Sequence, residues 1–319
     1  MTIKVSIDNF ARAETDRMFA GIQAGAGGVN RFRHNREPAP IDEQTVIRLN
    51  RDTLYSFAIV DISAGARVTL PDAGDRYMSA MVVNNDHYVN AIFHDAGTHE
   101  LTVDQFDTEY VMVGVRTLVD PTEEGDIAEV SRLQDQIMLV AGSARPFVSP
   151  DYDKVSFDGT RDGLLQLAKY VTGFDRMFGT REEVDPVRYL LGAAAGWGGL
   201  PTREAAYVGV EPRVPKGDYE LTLKDVPVDA FWSISVYNAR GYFEPNSSGR
   251  YTVNNITGVP NDDGSITVRF VTDPNDPRAN AIPIPEGWNF LIRLYRPRPE
   301  VLNGTWRCPL WRRRPETVG

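Results

Sequence analysis

Cysteine is almost missing from this chain. Cys308 stands alone, so no internal disulfide can form and no cysteine cluster can hold a metal. That usage suits a reducing cytoplasm. Histidine is scarce as well: His34, His87, His94 and His99 all fall in the first third, none spaced as HxH. The C-terminal part therefore has no histidine for a metal site of the kind jelly-roll metal enzymes of the cupin type carry. His94 and His99 sit beside Asp95 and Glu100 in a turn-rich stretch, which reads as a solvated loop, and no metal is expected. No apolar run reaches the length of a membrane-spanning helix. The opening stretch MTIKVSIDNFARAETDRMF has no basic start followed by an apolar core, so no export leader is expected. A surplus of positive charge is missing too. The net charge of −10 speaks against nucleic-acid binding, which needs a basic face. Arginines do crowd near the end (Arg293, Arg296, Arg298, Arg307 and Arg312 to Arg314). They read as a solvated tail or as an anion-binding patch. Finally, GxSxG, HExxH, GxxxxGK[ST] and GxGxxG after a strand are all absent, and Gly25, Gly27 and Gly28 do not make a phosphate loop.

What is present is an ordinary globular composition, 42% hydrophobic and 24% charged over 319 residues, enough for two domains. Residues 10–22 read as a helix with Phe10, Met18, Phe19 and Ile22 on one face, followed by a loop rich in Gly and Pro over 24–40. From Val46 to Val115 the pattern is strand-like, with candidates at 54–60, 66–70, 77–83, 88–93 and 110–115 split by turn signals such as PDAGD and HDAGTHE. Helices are predicted over 125–140, 161–171 and 185–195, the last with Pro186 suited to a first turn. Strands resume at 218–223, 231–237, 250–254, 265–270 and 288–295. The division expected is an N-terminal β-sandwich over 1–120, a helical connecting segment over 121–210, and a C-terminal jelly-roll-like sandwich over 211–319.

Three constellations carry potential chemistry. The first is Asn50-Arg51-Asp52-Thr53-x-Tyr55 against a strand start. Asp52 would be a general base or a metal ligand, and Arg51 would hold an anion or lower the Asp52 pKa by its charge. Alternatively, Asp52 caps a buried turn and pairs with Arg51. The second is Asn84-Asn85-Asp86-His87-Tyr88, where His87 is the histidine suited to proton transfer near neutral pH, or else a loop residue bonded to backbone. The third joins Gly196-Trp197-Gly198-Gly199 and Tyr207 to Phe231-Trp232-Ser233, Ser235, Tyr237, Tyr242 and Asn246. Aromatics with small residues line small-molecule pockets and sandwich cores alike, and Trp232 also reads as core.

NRDTLYSFAIVD, PDAGDRYMSAMVVNNDHY, VRTLVDP and SRLQDQI resemble the bacterial DUF1254 domain. GWGGLPTREAAY, DVPVDAFWSISVYNARGYFEPN, NDDGSITVRF and GWNFLIRLYRPRPEVLNGTW resemble the DUF1214 domain that usually follows it. The resemblance runs from roughly 35 to 310 and is to the short branch of the family. It implies an Ig-like N-terminal sandwich, a helical linker and a C-terminal jelly-roll-like sandwich, in a mainly β protein. It supplies no reaction, since fold alone does not define one. It does mark the signature positions Arg51, Asp52, Tyr55, Asp86, His87, Tyr88, Arg116, Trp197, Trp232, Tyr237 and Arg293 as site candidates.

The functional expectation is a cofactor-independent enzyme, a hydrolase or lyase, acting on a small polar molecule. Asp52 or His87 would be the base and Tyr55 or Tyr88 the proton donor. Arg51, Asp86, Arg116, Trp197, Trp232, Tyr237 and Arg293 would bind substrate. The alternative is a non-catalytic binder of a sugar or carboxylate. A small-molecule partner, no nucleic acid, no membrane, a cytoplasmic location and room for a homodimer complete the expectation.

Overall fold

The computed structural model describes residues 2–44 and 47–314. Val46, where the strand pattern begins, and residues 315–319 of the tail lie outside them. The protein is mainly β, with antiparallel sheets in two compact units. Unit 1 comprises Met1–Arg36, Leu54–Leu118 and Ile127–Thr202; unit 2 comprises Glu37–Thr53, Val119–Asp126 and Arg203–Gly319. The helical stretch from Ile127 to Thr202 lies in unit 1, and the short segments Glu37–Thr53 and Val119–Asp126 lie in unit 2.

Unit 1 begins with α1 (Phe10–Ala26), which ends at Gly27 in the left-handed region, φ 73°. The helix thus runs into the expected glycine loop before a residue without a Cβ stops it. Its buried residues are Phe10, Ala13 and Phe19 together with Glu14, Thr15 and Asp16, so the inner face is not the Phe10–Met18–Phe19–Ile22 stripe. The strands are β1 (Arg33–His34), β2 (Thr53–Asp61), β3 (Ala66–Leu70), β4 (Met78–Asn84), β5 (Val89–Phe93) and β6 (Gly97–Leu101). After a short helix α2 (Val103–Phe106) come β7 (Tyr110–Leu118), α3 (Glu124–Asp135) and β8 (Met138–Ala141). Five of these strands form a sheet in the order β1-β2-β7-β4-β5, and three form a second, β6-β3-β8. The two sheets share one core: Ala58, Val60, Ala80, Val82, Val113 and Val115 from the first, and Ala66, Val68 and Leu70 from the second. β3 shows the period-2 reason, with Ala66, Val68 and Leu70 buried while Arg67 is exposed. β4 is buried along its whole length, as a central strand covered on both faces should be. Among the strands that escaped the sequence pattern are β6 and β8. β6 occupies the HDAGTHE turn signal, and β8 begins after α3 stops at Asp135, not Val140. In β8, Met138 and Val140 are exposed and pair along β3 through Thr69↔Met138 and Arg67↔Val140, a strand alternation that a helical window absorbs.

The unit closes with α4 (Lys154–Ala168) and α5 (Pro186–Gly196). Asp153 caps α4 by accepting from the Ser156 N–H at 2.8 Å, which starts that helix seven residues before the expected 161. Asp185 caps α5, with Pro186 in its first turn as expected. Phe10 and Ala13 of α1, Phe157 and Leu164 of α4, and Leu191 of α5 form a separate helical core.

Unit 2 is built from β9 (Ala205–Val210), β10 (Tyr219–Leu223), β11 (Trp232–Tyr237), β12 (Thr252–Asn254), β13 (Ile266–Val271), β14 (Ala281–Pro283) and β15 (Asn289–Tyr295). A short helix, α6 (Pro299–Leu302), and β16 (Arg312–Arg313) complete it. One sheet is β14-β13-β10-β16 and the other β12-β11-β15-β9. Trp232, Ile234 and Val236 of β11 and Phe290, Ile292 and Leu294 of β15 face Leu221, Val268 and Phe270 in one core. The alternate residues of the same strands, Ser233, Ser235, Tyr237 and Arg293, are buried on the opposite face. The arginine crowding near the C-terminus disperses: Arg293 is buried in β15, Arg298 pairs with Asp229 at 2.7 Å, and Arg312 and Arg313 pair with Glu220 and Tyr219 of β10. No described helix is long and apolar enough to cross a membrane.

Candidate functional site

The signature residues gather in two clusters, one in each unit. In unit 2, Asp52 is fully buried, and both carboxylate oxygens are occupied. Ser233 Oγ donates to Oδ2 at 2.6 Å and Thr252 Oγ1 to Oδ1 at 3.0 Å, while the Asp52 N–H donates to Asn50 Oδ1 at 2.9 Å. Arg293, 2% exposed, places Nη1 3.9 Å from Asp52 Oδ2. Its Nη1 donates to Ser235 Oγ at 2.8 Å, and its Nη2 to Tyr237 Oη at 2.7 Å and to the Arg48 and Leu49 carbonyls. Tyr237 donates in turn to the Leu49 carbonyl at 2.8 Å. Burial pushes the Tyr237 phenol up from its ordinary pKa. Burial also works against the Arg293 charge, but Tyr237, Tyr295 and Asp52 outweigh it and hold the guanidinium above its ordinary value. This is the polar face of β11 and β15, sealed by the chain between Arg48 and Thr53. Arg51 does not pair with Asp52. It donates to the Ala39 carbonyl and lies 5.7 Å over the Tyr251 ring. The arginine that neutralises Asp52 is thus the one 241 positions further along the sequence.

In unit 1, the hairpin between β4 and β5 carries His87 in the left-handed region, φ 66°. The His87 N–H donates to the Asn84 carbonyl at 3.0 Å, and Asn84 Oδ1 accepts from the N–H groups of Asp86 and Tyr88. This is a turn closed by an αL residue, a place histidine takes more readily than β-branched residues do. The ring is 1% exposed. It stacks on Trp197 at 5.4 Å and contacts Tyr189 and Phe178. Burial lowers its pKa to about 3, so the ring is neutral at neutral pH. The Gly198 N–H donates to Nε2 at 3.0 Å, which puts the ring proton on Nδ1. That buried Nδ1 has no partner among the described residues. Arg116 holds the other side of the same glycine, Nη2 donating to the Gly198 carbonyl at 3.0 Å, while its guanidinium lies 5.4 Å over the Tyr55 ring. Gly199 has no room for a side chain, since a Cβ would fall 2.3 Å from the Phe178 ring.

Asp86 pairs with Arg12 at 2.5 Å, and Tyr88 stacks on Tyr189 at 5.0 Å beneath Arg181. His87, Asp86, Tyr88, Arg116, Tyr55 and Trp197 are therefore neighbours in unit 1. Asp52, Arg51, Tyr237 and Arg293 are neighbours in unit 2, and Trp232 points to the other side of β11.

Sequence reasoning missed what docks the hairpin. Arg12, Thr15 and Asp16 lie along one side of α1: Arg12 on Asp86, Thr15 Oγ1 accepting from Trp197 Nε1 at 3.0 Å, and Asp16 Oδ1 accepting from Asn85 Nδ2 at 2.7 Å. Tyr152 donates to Asp16 Oδ2 at 2.6 Å, and burial raises the Asp16 carboxyl above its ordinary pKa. Polar residues at i, i+3 and i+4 on an otherwise apolar helix were the available signal. Among the described residues no group of three or more His, Cys, Asp or Glu is placed to hold a metal ion. His99 instead stacks on Phe93 at 4.2 Å.

Each unit also carries a cavity. That of unit 2, about 450 Å³, lies at one end of the sandwich and is lined by Trp232, Lys224, Asp225, Asn255, Ile256 and their neighbours. Trp232 is 4% exposed. That of unit 1, about 360 Å³, lies between α1 and α4 and includes Tyr152.

The fold and these sites are those of a protein with two domains of unknown function. Residues 29–102 match the model of DUF1254 and residues 211–299 that of DUF1214, each described as a protein of unknown function. The chain belongs to the family in which a DUF1254 domain is followed by a DUF1214 domain. None of the curated proteins matches it. Among solved structures it is similar to the VPA0106 protein from Vibrio parahaemolyticus, at 18% identity and TM-score 0.74, over 96% of this chain and 97% of that one. It is also similar to a putative uncharacterized protein from Burkholderia cenocepacia, at 14% identity and TM-score 0.51, over 90% and 84% of the two chains. At these identities the likeness concerns the fold.

Proposed function

We propose that the protein binds a small molecule, without turning it over, in the cavity at the end of the unit 2 sandwich. The observation that carries this is Trp232: a buried indole on the wall of an open 450 Å³ cavity, beside Lys224, Asp225 and Asn255. Around it stand the apolar walls of Leu223, Val226 and Ile266, with the Asp225 carboxylate and the Asn255 side chain near the mouth. The ligand that fits is a small polar molecule, since polar groups make up most of the exposed lining. Binding is favoured over a hydrolase or lyase activity by the state of the expected bases. Asp52 has both oxygens taken by hydroxyls, and His87 is neutral, buried and hydrogen-bonded to backbone.

Native mass spectrometry of the full chain tests this reading. A retained ligand in the wild type, lost in Trp232→Phe, is the expected result. A clean apo mass with turnover in a broad hydrolase screen would sink it. A cytoplasmic location and a homodimer belong to the same proposal, supported by the single cysteine and by the exposed apolar residues of the edge strand β8. Light scattering measures the second.

A further inference from the structure

We propose that the 360 Å³ cavity of unit 1 is a second binding site, for a small organic carboxylate. Its floor is apolar: Ala20, Pro150, Phe157 and the ring of Tyr152. Its charged lining is Arg17, Lys154 and Asp158, the last paired with Lys154.

Arg17 is the reason for assigning an anion. Its Nε and Nη2 are engaged by Glu14 at 3.0 and 2.6 Å, and Glu14 is itself buried. A guanidinium braced in this way loses little side-chain freedom when a ligand arrives. Glu14 is shared with Arg161 at 3.4 Å, so a single carboxylate serves two guanidiniums. Arg17 Nη1 has no partner among the described residues. Lys154, at the first position of α4, is paired only with Asp158 one turn later, an exposed contact of small worth that a ligand carboxylate can replace. Tyr152 Oη is already committed to Asp16 and the Ser149 hydroxyl to the Pro150 carbonyl, so the remaining donors at this cavity are cationic. Charge at the mouth and rings at the floor together select a carboxylate on an apolar body.

The test is calorimetric titration of the full chain with benzoate and with benzamide, its neutral counterpart. Benzoate should bind, benzamide about tenfold or more weaker, and Arg17→Gln should weaken benzoate by about tenfold, the value of one charge-assisted hydrogen bond. Lys154→Gln should weaken it by a smaller factor and decides the matter if Arg17→Gln fails to fold. Equal affinity for benzamide, absence of benzoate binding, or wild-type affinity in the folded variants would overturn the assignment. Trp232→Phe should leave benzoate affinity unchanged. If that variant abolishes binding while Arg17→Gln does not, the carboxylate enters the cavity of unit 2 and this second site is rejected.

Discussion

The buried polar face of β11 and the buried hairpin at His87 solve the same problem differently. Around Asp52 the charge is balanced: a carboxylate receives two hydroxyls, and an arginine from β15 stands 3.9 Å away with its own acceptors filled. Around His87 there is no charge to balance. The imidazole is kept neutral by burial, one nitrogen receives a backbone N–H, and the other has no partner among the described residues. Satisfied networks specify one arrangement; half-satisfied ones carry a cost that calls for a reason. The difference teaches that chemically rich motifs need not be sites. The richest of them, NRDTLY, holds an Asp52 whose oxygens are both filled, while an open valence lies at His87 Nδ1.

Several measurements break or sharpen this contrast. The largest effect belongs to the ion pair. Asp52→Ala should cost about 3–5 kcal/mol, because it strands Arg293 in the interior. Combined with Arg293→Met, the loss should be smaller than the sum of the two single changes. A double-mutant cycle by urea unfolding checks this, and strict additivity would show that the two groups do not interact. Next comes His87→Ala, which should cost about 2–4 kcal/mol by opening a void against Trp197 and releasing the Gly198 N–H. A melting temperature within a degree of wild type would mean that the loop at Gly198 is held otherwise.

A third effect is pH dependence. The folded His87 pKa of about 3 lies below its unfolded value near 6.5, so the unfolded chain binds more protons between them. The stability from keeping His87 neutral is fully present above about pH 6.5 and declines as pH falls toward 3, by at most about 1.4 kcal/mol per pH unit. His87→Asn should flatten that part of the pH profile. An unchanged profile would show that the ring is protonated in the fold. The smallest effect is expected from Arg12→Ala. The Arg12–Asp86 pair is half-exposed, and its removal should cost under about 1 kcal/mol and shrink further in high salt.

Much of the fold was legible in the chain. The run ARVTL is a strand over the residues its alternation predicts, and Pro186 opens α5 beside its Asp185 cap. Among the hidden strands, two were hidden for separate reasons. β6 mixes Thr98 and Leu101 with Gly97, His99 and Glu100, lies over a turn signal, and exists because β3 offers it partners from Ala66 to Leu70. β9 (AAYVGV) is short and partly exposed, and is held by β15 along six residue pairs, including Arg293↔Tyr207. Of the candidate site, the residue types were legible and their partners were not. Arg51 adjoins Asp52 in sequence, yet Arg293 is the arginine facing its carboxylate.

Alone, the sequence determined the mainly β character, the Pro186 helix start, the family and the alternation that gives β11 one apolar and one polar face. These depend on neighbours a few residues apart, which periodicity and propensity report directly. Only the tertiary structure decided that the polar face of β11 closes around Asp52 and that α1 docks on the His87 hairpin. It alone showed that the indole of Trp232 borders a cavity. Those are contacts between residues far apart in the chain, and burial and charge balance, which set their worth, exist only once the chain has folded.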